Sequence, residues 1–170
     1  MNSEKRRVKI HELLNTEKLP LKGINLAERF NVTRQVIVKD IAILRAKGFK
    51  IVATPDGYII PNTNVGVKKI VAVSHKEEEI EEELNIIVKY GGVVEDVIVE
   101  HPVYGEIKGQ IMIKTQYDII RFLEKIKIQK AEPLLVLTGG IHLHTISCEN
   151  EIVMSRILKE LEEKNYIISE

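Results

Sequence analysis

Asn31-Val32-Thr33-Arg34-Gln35-Val36-Ile37-Val38-Lys39-Asp40-Ile41-Ala42-Ile43-Leu44-Arg45-Ala46-Lys47 carries two opposed stripes. Val36, Ile37, Ile41 and Leu44 recur at helical spacing and form the side to be buried. Arg34, Gln35, Val38, Lys39, Ala42 and Arg45 fall on the opposite stripe. Asn31-Val32 reads as a tight turn, and Thr33 is placed to cap the helix that follows. A helix entered through a short turn, apolar within and polar-basic without, reads as the third helix of a helix-turn-helix.

The flanking sequence completes that unit. Residues 4–16 place Ile10, Leu13 and Leu14 on one helical face, with Arg6, Arg7 and Lys9 expected outside. After the turn Leu19-Pro20-Leu21-Lys22-Gly23, Asn25 is expected to cap a short second helix with Leu26, Ala27 and Phe30 inward. Gly48 ends the third helix. Phe49–Ala53 and Tyr58–Ile60 then read as two strands joined by Thr54-Pro55-Asp56-Gly57, which makes the module a winged helix-turn-helix. Its third helix would enter the major groove of double-stranded DNA. The expected DNA-binding set is Thr33, Arg34, Gln35, Lys39, Arg45 and Lys47. Arg34 and Gln35 own donors suited to base edges, whereas Lys39, Arg45 and Lys47 suit phosphates. His11 lies on the first helix and receives no role.

Charge divides along the same line. The chain has 170 residues, 44% of them hydrophobic and 29% charged, with 25 basic and 25 acidic side chains. Residues 1–62 hold 12 Lys/Arg and 6 Asp/Glu, while residues 63–170 hold 13 and 19. A basic module that meets a polyanion, followed by an acidic partner module, is the reading this asymmetry favours. Pro61-Asn62-Thr63-Asn64 consists of turn formers without apolar periodicity and sets the expected domains at 1–62 and 63–170. No apolar run reaches the length of a membrane span, and no apolar stretch follows the basic N-terminus as in a secretory signal. One cysteine, Cys148, excludes an intrachain disulfide framework and fits a cytoplasmic protein.

The acidic half alternates helices and strands. Lys68–Val73 reads as a strand, and Ser74 with Glu77 forms a capping-box pattern that starts a helix near Ser74. That helix carries Ile80, Leu84, Ile87 and Val88 inward and ends at Gly91-Gly92. Val93–Glu100 and Glu106–Ile113 read as strands, Tyr117–Ile126 as a helix and Leu134–Leu137 as an apolar strand. Residues 141–146 alternate as a half-buried strand, and Ile152–Lys164 is a final helix. The expectation is an α+β sandwich with a mixed or antiparallel sheet, within a mixed α/β two-domain chain.

Four of the five histidines fall in this half. His142 and His144, two apart on a strand, leave the same face. Two imidazoles converging on one spot suit a divalent transition ion. His75 and the acidic run beside it offer further donors. If His75 is helical, Glu79 shares its face and Glu83 lies about 12 Å along the axis. If His75 instead occupies the strand-to-helix corner and reaches back, Glu83 comes within range. His101 precedes a proline at a loop mouth, where functional residues often sit.

This half resembles the three-histidine (3H) domain of nicotinate-responsive transcriptional repressors, the NiaR family. The resemblance is carried by His75 with its Glu-rich helix, by Val97-Ile98-Val99-Glu100-His101-Pro102-Val103-Tyr104-Gly105, and by Leu137-Thr138-Gly139-Gly140-Ile141-His142-Leu143-His144-Thr145-Ile146. The stretch 33–41 is similar to that family's helix-turn-helix, in the same domain order. The resemblance implies repression of genes for NAD synthesis or niacin uptake, with nicotinate as co-repressor. It implies a divalent ion, nickel first and zinc, iron or manganese otherwise, at His75, Glu83, His142 and His144, with Glu79 as the alternative carboxylate. It makes His101, Tyr104 and Thr138 the candidate effector contacts. Two other classes compete with this reading. One is a sensor whose metal ion is itself the signal; the other is a metal-dependent hydrolase. The winged helix argues against an enzyme, because catalysis gains nothing from an attached DNA reader. A homodimer is expected, since twofold symmetry doubles a short half-site into a palindrome.

Overall fold

A computed structural model describes residues 2–61 and 66–168. The chain divides into two compact units, Met1–Thr63 and Asn64–Glu170. Most of the turn-forming boundary stretch, residues 62–64, lies outside the described residues.

In the first unit, α1 (Ser3–Thr16), α2 (Gly23–Phe30) and α3 (Arg34–Ala46) precede a hairpin of β1 (Val52–Thr54) and β2 (Gly57–Ile59). Ile10, Leu14, Leu26, Ala27, Ile37, Ile41, Leu44 and Ile51 form its core. Asn2 caps α1 and Thr33 caps α3, each side chain accepting a first-turn N–H. Asn25 does not cap α2. Leu21 bridges to Tyr58 of the hairpin, so the chain turns into the helix at Gly23, and Asn25 sits inside it. Arg6 is not outside either. It is buried, because Asp40 on the inner side of α3 accepts its Nε–H at 2.6 Å. A buried guanidinium needs such a counter-charge.

The second unit is a four-stranded antiparallel sheet ordered β3-β6-β4-β5, from β3 (Val67–Ser74), β4 (Val93–His101), β5 (Gly105–Ile113) and β6 (Ile141–Cys148). The helices α4 (Ile80–Lys89), α5 (Gln116–Gln129) and α6 (Glu151–Glu163) supply Leu84, Ile87, Ile119, Met154, Ile157 and Leu161 to a core shared with Val71, Val73, Val94 and Ile146 of the sheet. Neither domain class nor strand direction needs revision: the sheet is antiparallel throughout.

Two local expectations fail here. Leu134–Leu137 is no strand; Leu134–Thr138 forms a 3-10 helix entered after Pro133 and closed by Gly139 in the left-handed region. A four-residue apolar run carries no period that separates the two. The capping box at Ser74 does not form, because the Ser74 N–H pairs with the Tyr166 carbonyl and prolongs β3. A 3-10 turn, Glu77–Glu79, starts the helical segment instead, and Glu79 Oε2 accepts the N–H of Lys76 at 2.8 Å.

A bulge interrupts β4. Val94 opposes Ile146 and Asp96 opposes Thr145, so β4 advances two residues where β6 advances one. Val94 and Val97 therefore both face the helices, with Glu95 and Asp96 between them. Met112 on β5, at φ 50°, absorbs the matching irregularity on the other side.

Candidate functional site

The corner after β3 decides the site. With the helix delayed to Glu77, His75 stands between strand and helix and its ring reaches back to Glu83, one turn into α4. His75 Nε2 lies 2.7 Å from Glu83 Oε2. His144 Nε2 lies 3.3 Å from Glu83 Oε1, and His142 Nε2 lies 3.6 Å from Oε2. The rings of His75 and His142, and of His142 and His144, are edge-on at 4.8 Å. All four side chains are buried. Glu79, tied to the Lys76 N–H, is not part of the cluster.

The burial of His142 and His144 inverts the simple reading of β6. Their face is the one under the helices, shared with Val71, Val73 and Ile146, whereas Ile141 on the opposite face is 54% exposed. Two imidazoles thus replace core side chains, and each needs a partner for both nitrogens.

The backbone supplies half of those partners. His75 Nδ1 bonds the Lys76 carbonyl at 2.8 Å, His142 Nδ1 the Gly140 carbonyl at 2.8 Å, and His144 Nδ1 the Asp96 carbonyl at 2.6 Å. A carbonyl only accepts, so each Nδ1 carries a proton, and each Nε2 presents a lone pair whenever its ring is neutral. Those lone pairs converge on a carboxylate whose Oε1 is buried and receives no hydrogen bond. His75, His142 and Glu83 each offer one ligand atom within 4.8 Å of the others and could hold a divalent transition ion, with His144 beside them and each ring oriented by an outer carbonyl.

Protonation is the metal-free alternative. Burial opposes charge on His75 and His144, but hydrogen bonding to Glu83 and its negative charge outweigh that and raise both above the ordinary imidazole value. Burial likewise disfavours the Glu83 carboxylate, yet the imidazoles hold it well below the usual carboxylate range. Tyr166 closes the cluster: its ring centroid is 5.1 Å from that of His75, and its hydroxyl donates to Glu82.

Of the candidate effector residues, Thr138 shares a cavity with the donor His142, whereas His101 and Tyr104 do not. His101 Nδ1 accepts the N–H groups of Val103 and Tyr104, so it shapes the β4–β5 turn. Tyr104 is exposed there. Thr138 Oγ1 lies within hydrogen-bond distance of the carbonyls of Leu135 and Ile141, and the residue borders a cavity of about 790 Å³ with Glu100, Glu106, Leu143 and His142. His101 and Tyr104 do not border it.

In the first unit, Arg34, Gln35, Lys39, Arg45 and Lys47 are all exposed. Thr33 Oγ1 accepts the Val36 N–H, so its role is to start the helix that displays them. Arg7 joins Arg6 on Asp40 at 3.3 Å, which ties α1 to α3. Sequence reasoning did not find Asp40, Gly140 or Asp96 as supports. For Asp96 a signal existed: the polar pair Glu95-Asp96 interrupts an otherwise apolar strand.

Comparison with known proteins agrees with this division. Residues 6–59 match an HTH domain and residues 68–170 match the 3H domain. The probable transcription repressor NiaR of Thermotoga maritima is 49% identical over 95% of this chain and 92% of its own length. The transcription repressor NadR of Bacillus subtilis is 39% identical over 92% of this chain and 89% of its own. Both named relatives are repressors, so the chain is a regulator rather than an enzyme. It belongs to the NiaR-type family of transcription repressors, built from a DNA-binding helix-turn-helix unit and a 3H domain.

Proposed function

We propose that this repressor acts on genes of NAD synthesis or niacin uptake, with nicotinate as co-repressor and a divalent ion at His75, Glu83, His142 and His144. The observation that carries the ion is three buried imidazoles, each held at Nδ1 by a backbone carbonyl, whose Nε2 atoms meet the Glu83 carboxylate, one oxygen of which receives no hydrogen bond. Nickel is the first candidate, and zinc, iron and manganese suit the same donors. When bound, the ion supplies positive charge and open coordination positions for a ligand that offers a pyridine nitrogen and a carboxylate.

The chain's own residues then orient and select. Thr138, with His101 and Tyr104 on the neighbouring hairpin, is the proposed effector contact. Glu100 and Glu106 border the same cavity and repel a carboxylate, so an anionic ligand depends on the ion for its charge balance. Arg34 and Gln35 read base edges, while Lys39, Arg45 and Lys47 hold phosphates. The protein works in the cytoplasm as a homodimer on a palindromic operator. No helix among the described residues is long and apolar enough to cross a membrane.

Titrating an operator duplex, selected from random sequence by binding, with ion and nicotinate separately tests the proposal. Nicotinate with the ion should tighten operator binding, and operator should tighten nicotinate binding by the same factor. Full operator affinity with ion alone would make the ion the signal and overturn the co-repressor reading.

A further inference from the structure

Asp96 is buried, carries a carboxylate, and has no part in the donor cluster. Three contacts meet at this one residue. Its backbone carbonyl accepts the His144 Nδ1–H at 2.6 Å. Its Oδ1 accepts the N–H of Thr145, the residue after His144, at 2.9 Å. Its Oδ2 lies 3.2 Å from Lys108 Nζ on the adjoining strand.

The bulge explains why these coincide. In a regular antiparallel ladder, carbonyls point along the sheet toward neighbouring strands and cannot meet a side chain on its face. At Glu95-Asp96 the strand gains a residue and local pairing is disrupted, which frees the Asp96 carbonyl to turn toward the face where His144 lies. The same disruption leaves the Thr145 N–H to be satisfied by a side chain, and the Asp96 carboxylate does this. One residue thus grips His144 by its ring and by the peptide that follows it. Lys108, whose side chain is partly exposed, supplies the opposite charge that a buried carboxylate requires.

We infer that Asp96, braced by Lys108, is the positioning residue that fixes the tautomer and orientation of His144 at the donor cluster. The inference rests on the metal reading for its purpose, although its geometry is independent of any ion. Loss of the carboxylate should let the bulge relax, free the imidazole to exchange its proton between nitrogens, and weaken binding without removing a ligand.

The test uses the full chain and Co²⁺ as probe, with Asp96→Ala, Asp96→Asn and Lys108→Ala. Imidazole ¹⁵N spectra of the metal-free protein, taken where the ring is neutral, report the His144 tautomer, while the visible spectrum and a chelator competition report Co²⁺. Asp96→Ala should lose the single Nδ1–H tautomer and bind Co²⁺ about 10–100-fold more weakly, with an altered visible spectrum. Asp96→Asn keeps an oxygen for the Thr145 N–H and should retain the tautomer. A purely structural role would shift unfolding alone, so an unchanged tautomer and unchanged Co²⁺ affinity in folded Asp96→Ala overturn the inference. Should Asp96→Ala not fold, Lys108→Ala decides: a weaker change in the same two readouts supports it, and none overturns it. If the wild-type chain itself binds no Co²⁺, the metal reading falls, and the tautomer measurement still judges Asp96.

Discussion

Gly140 and His75 pass backbone to backbone with no room for a side chain between them. A Cβ on Gly140 would stand 2.5 Å from the His75 carbonyl oxygen, and its φ of +104° lies where other residues are strained. The Gly140 carbonyl also accepts from His142 Nδ1, so this one residue sets the approach of two donors. Gly140→Ala should destabilise the chain by about 1–3 kcal/mol from backbone strain alone and spread His75 away from His142. Urea unfolding gives the first effect. The second should appear as weaker Co²⁺ binding with all four donors intact.

The donor cluster should give metal-free and metal-bound protein opposite responses to pH. His75 and His144 are raised above 6.5 on folding, against burial, by Glu83. Their contribution is complete below the unfolded value and is lost as pH rises through the folded one. Glu83 is depressed below its ordinary 4.5, so its contribution is present above that value and lost as pH falls through the folded one. In chelator, stability should therefore fall as pH rises above 6.5 and through the raised folded values. Ion affinity should rise over that interval, because the ion displaces those protons. Urea midpoints with chelator and with Co²⁺, at both ends of the range, check the two signs.

His144→Ala should abolish the mutual enhancement of nicotinate and operator binding while leaving weak, salt-sensitive DNA binding. The ion loses a donor, whereas Arg34, Lys39 and Arg45 remain displayed on their own helix. Calorimetry with nicotinate, and operator binding at two salt concentrations, separate the losses.

Arg34→Ala and Gln35→Ala should relax sequence preference by about 1–3 kcal/mol each. Lys39→Ala should weaken all duplexes alike and lower the salt slope by about one unit. An unchanged ratio of specific to nonspecific affinity in Arg34→Ala would mean that another surface reads the bases.

Asp40→Ala should destabilise the protein by about 3–5 kcal/mol, because it strands the buried Arg6 guanidinium. Combining it with Arg6→Ala should recover much of that loss. A thermal-unfolding double-mutant cycle on the full chain measures the coupling.

The helix-turn-helix was legible because its signals are local: a cap, two stripes and a turn lie within a few residues of each other. Arg6 escaped notice because its counter-charge is 34 positions away, and a charged residue on a helix reads as exposed until that partner is known. His142 and His144 could be paired from strand spacing alone. The choice between Glu79 and Glu83 hung on where a helix begins, and that start is set by Tyr166, far along the chain, which takes the Ser74 N–H. The supports of the cluster are backbone atoms, the carbonyls of Lys76, Gly140 and Asp96, and these have no residue-type signature.

The extra residue in β4 is spent on the site and not on the ladder. Deleting Glu95 would restore regular pairing with β6 and look, on the ladder, like a repair: Val94 would still oppose Ile146, Val97 would still oppose His144, and both would keep facing the helices. The cost would fall elsewhere, because a regular strand returns the Asp96 carbonyl to the plane of the sheet and away from His144 Nδ1. A deletion here is therefore silent in the hydrophobic pattern and felt only at one imidazole.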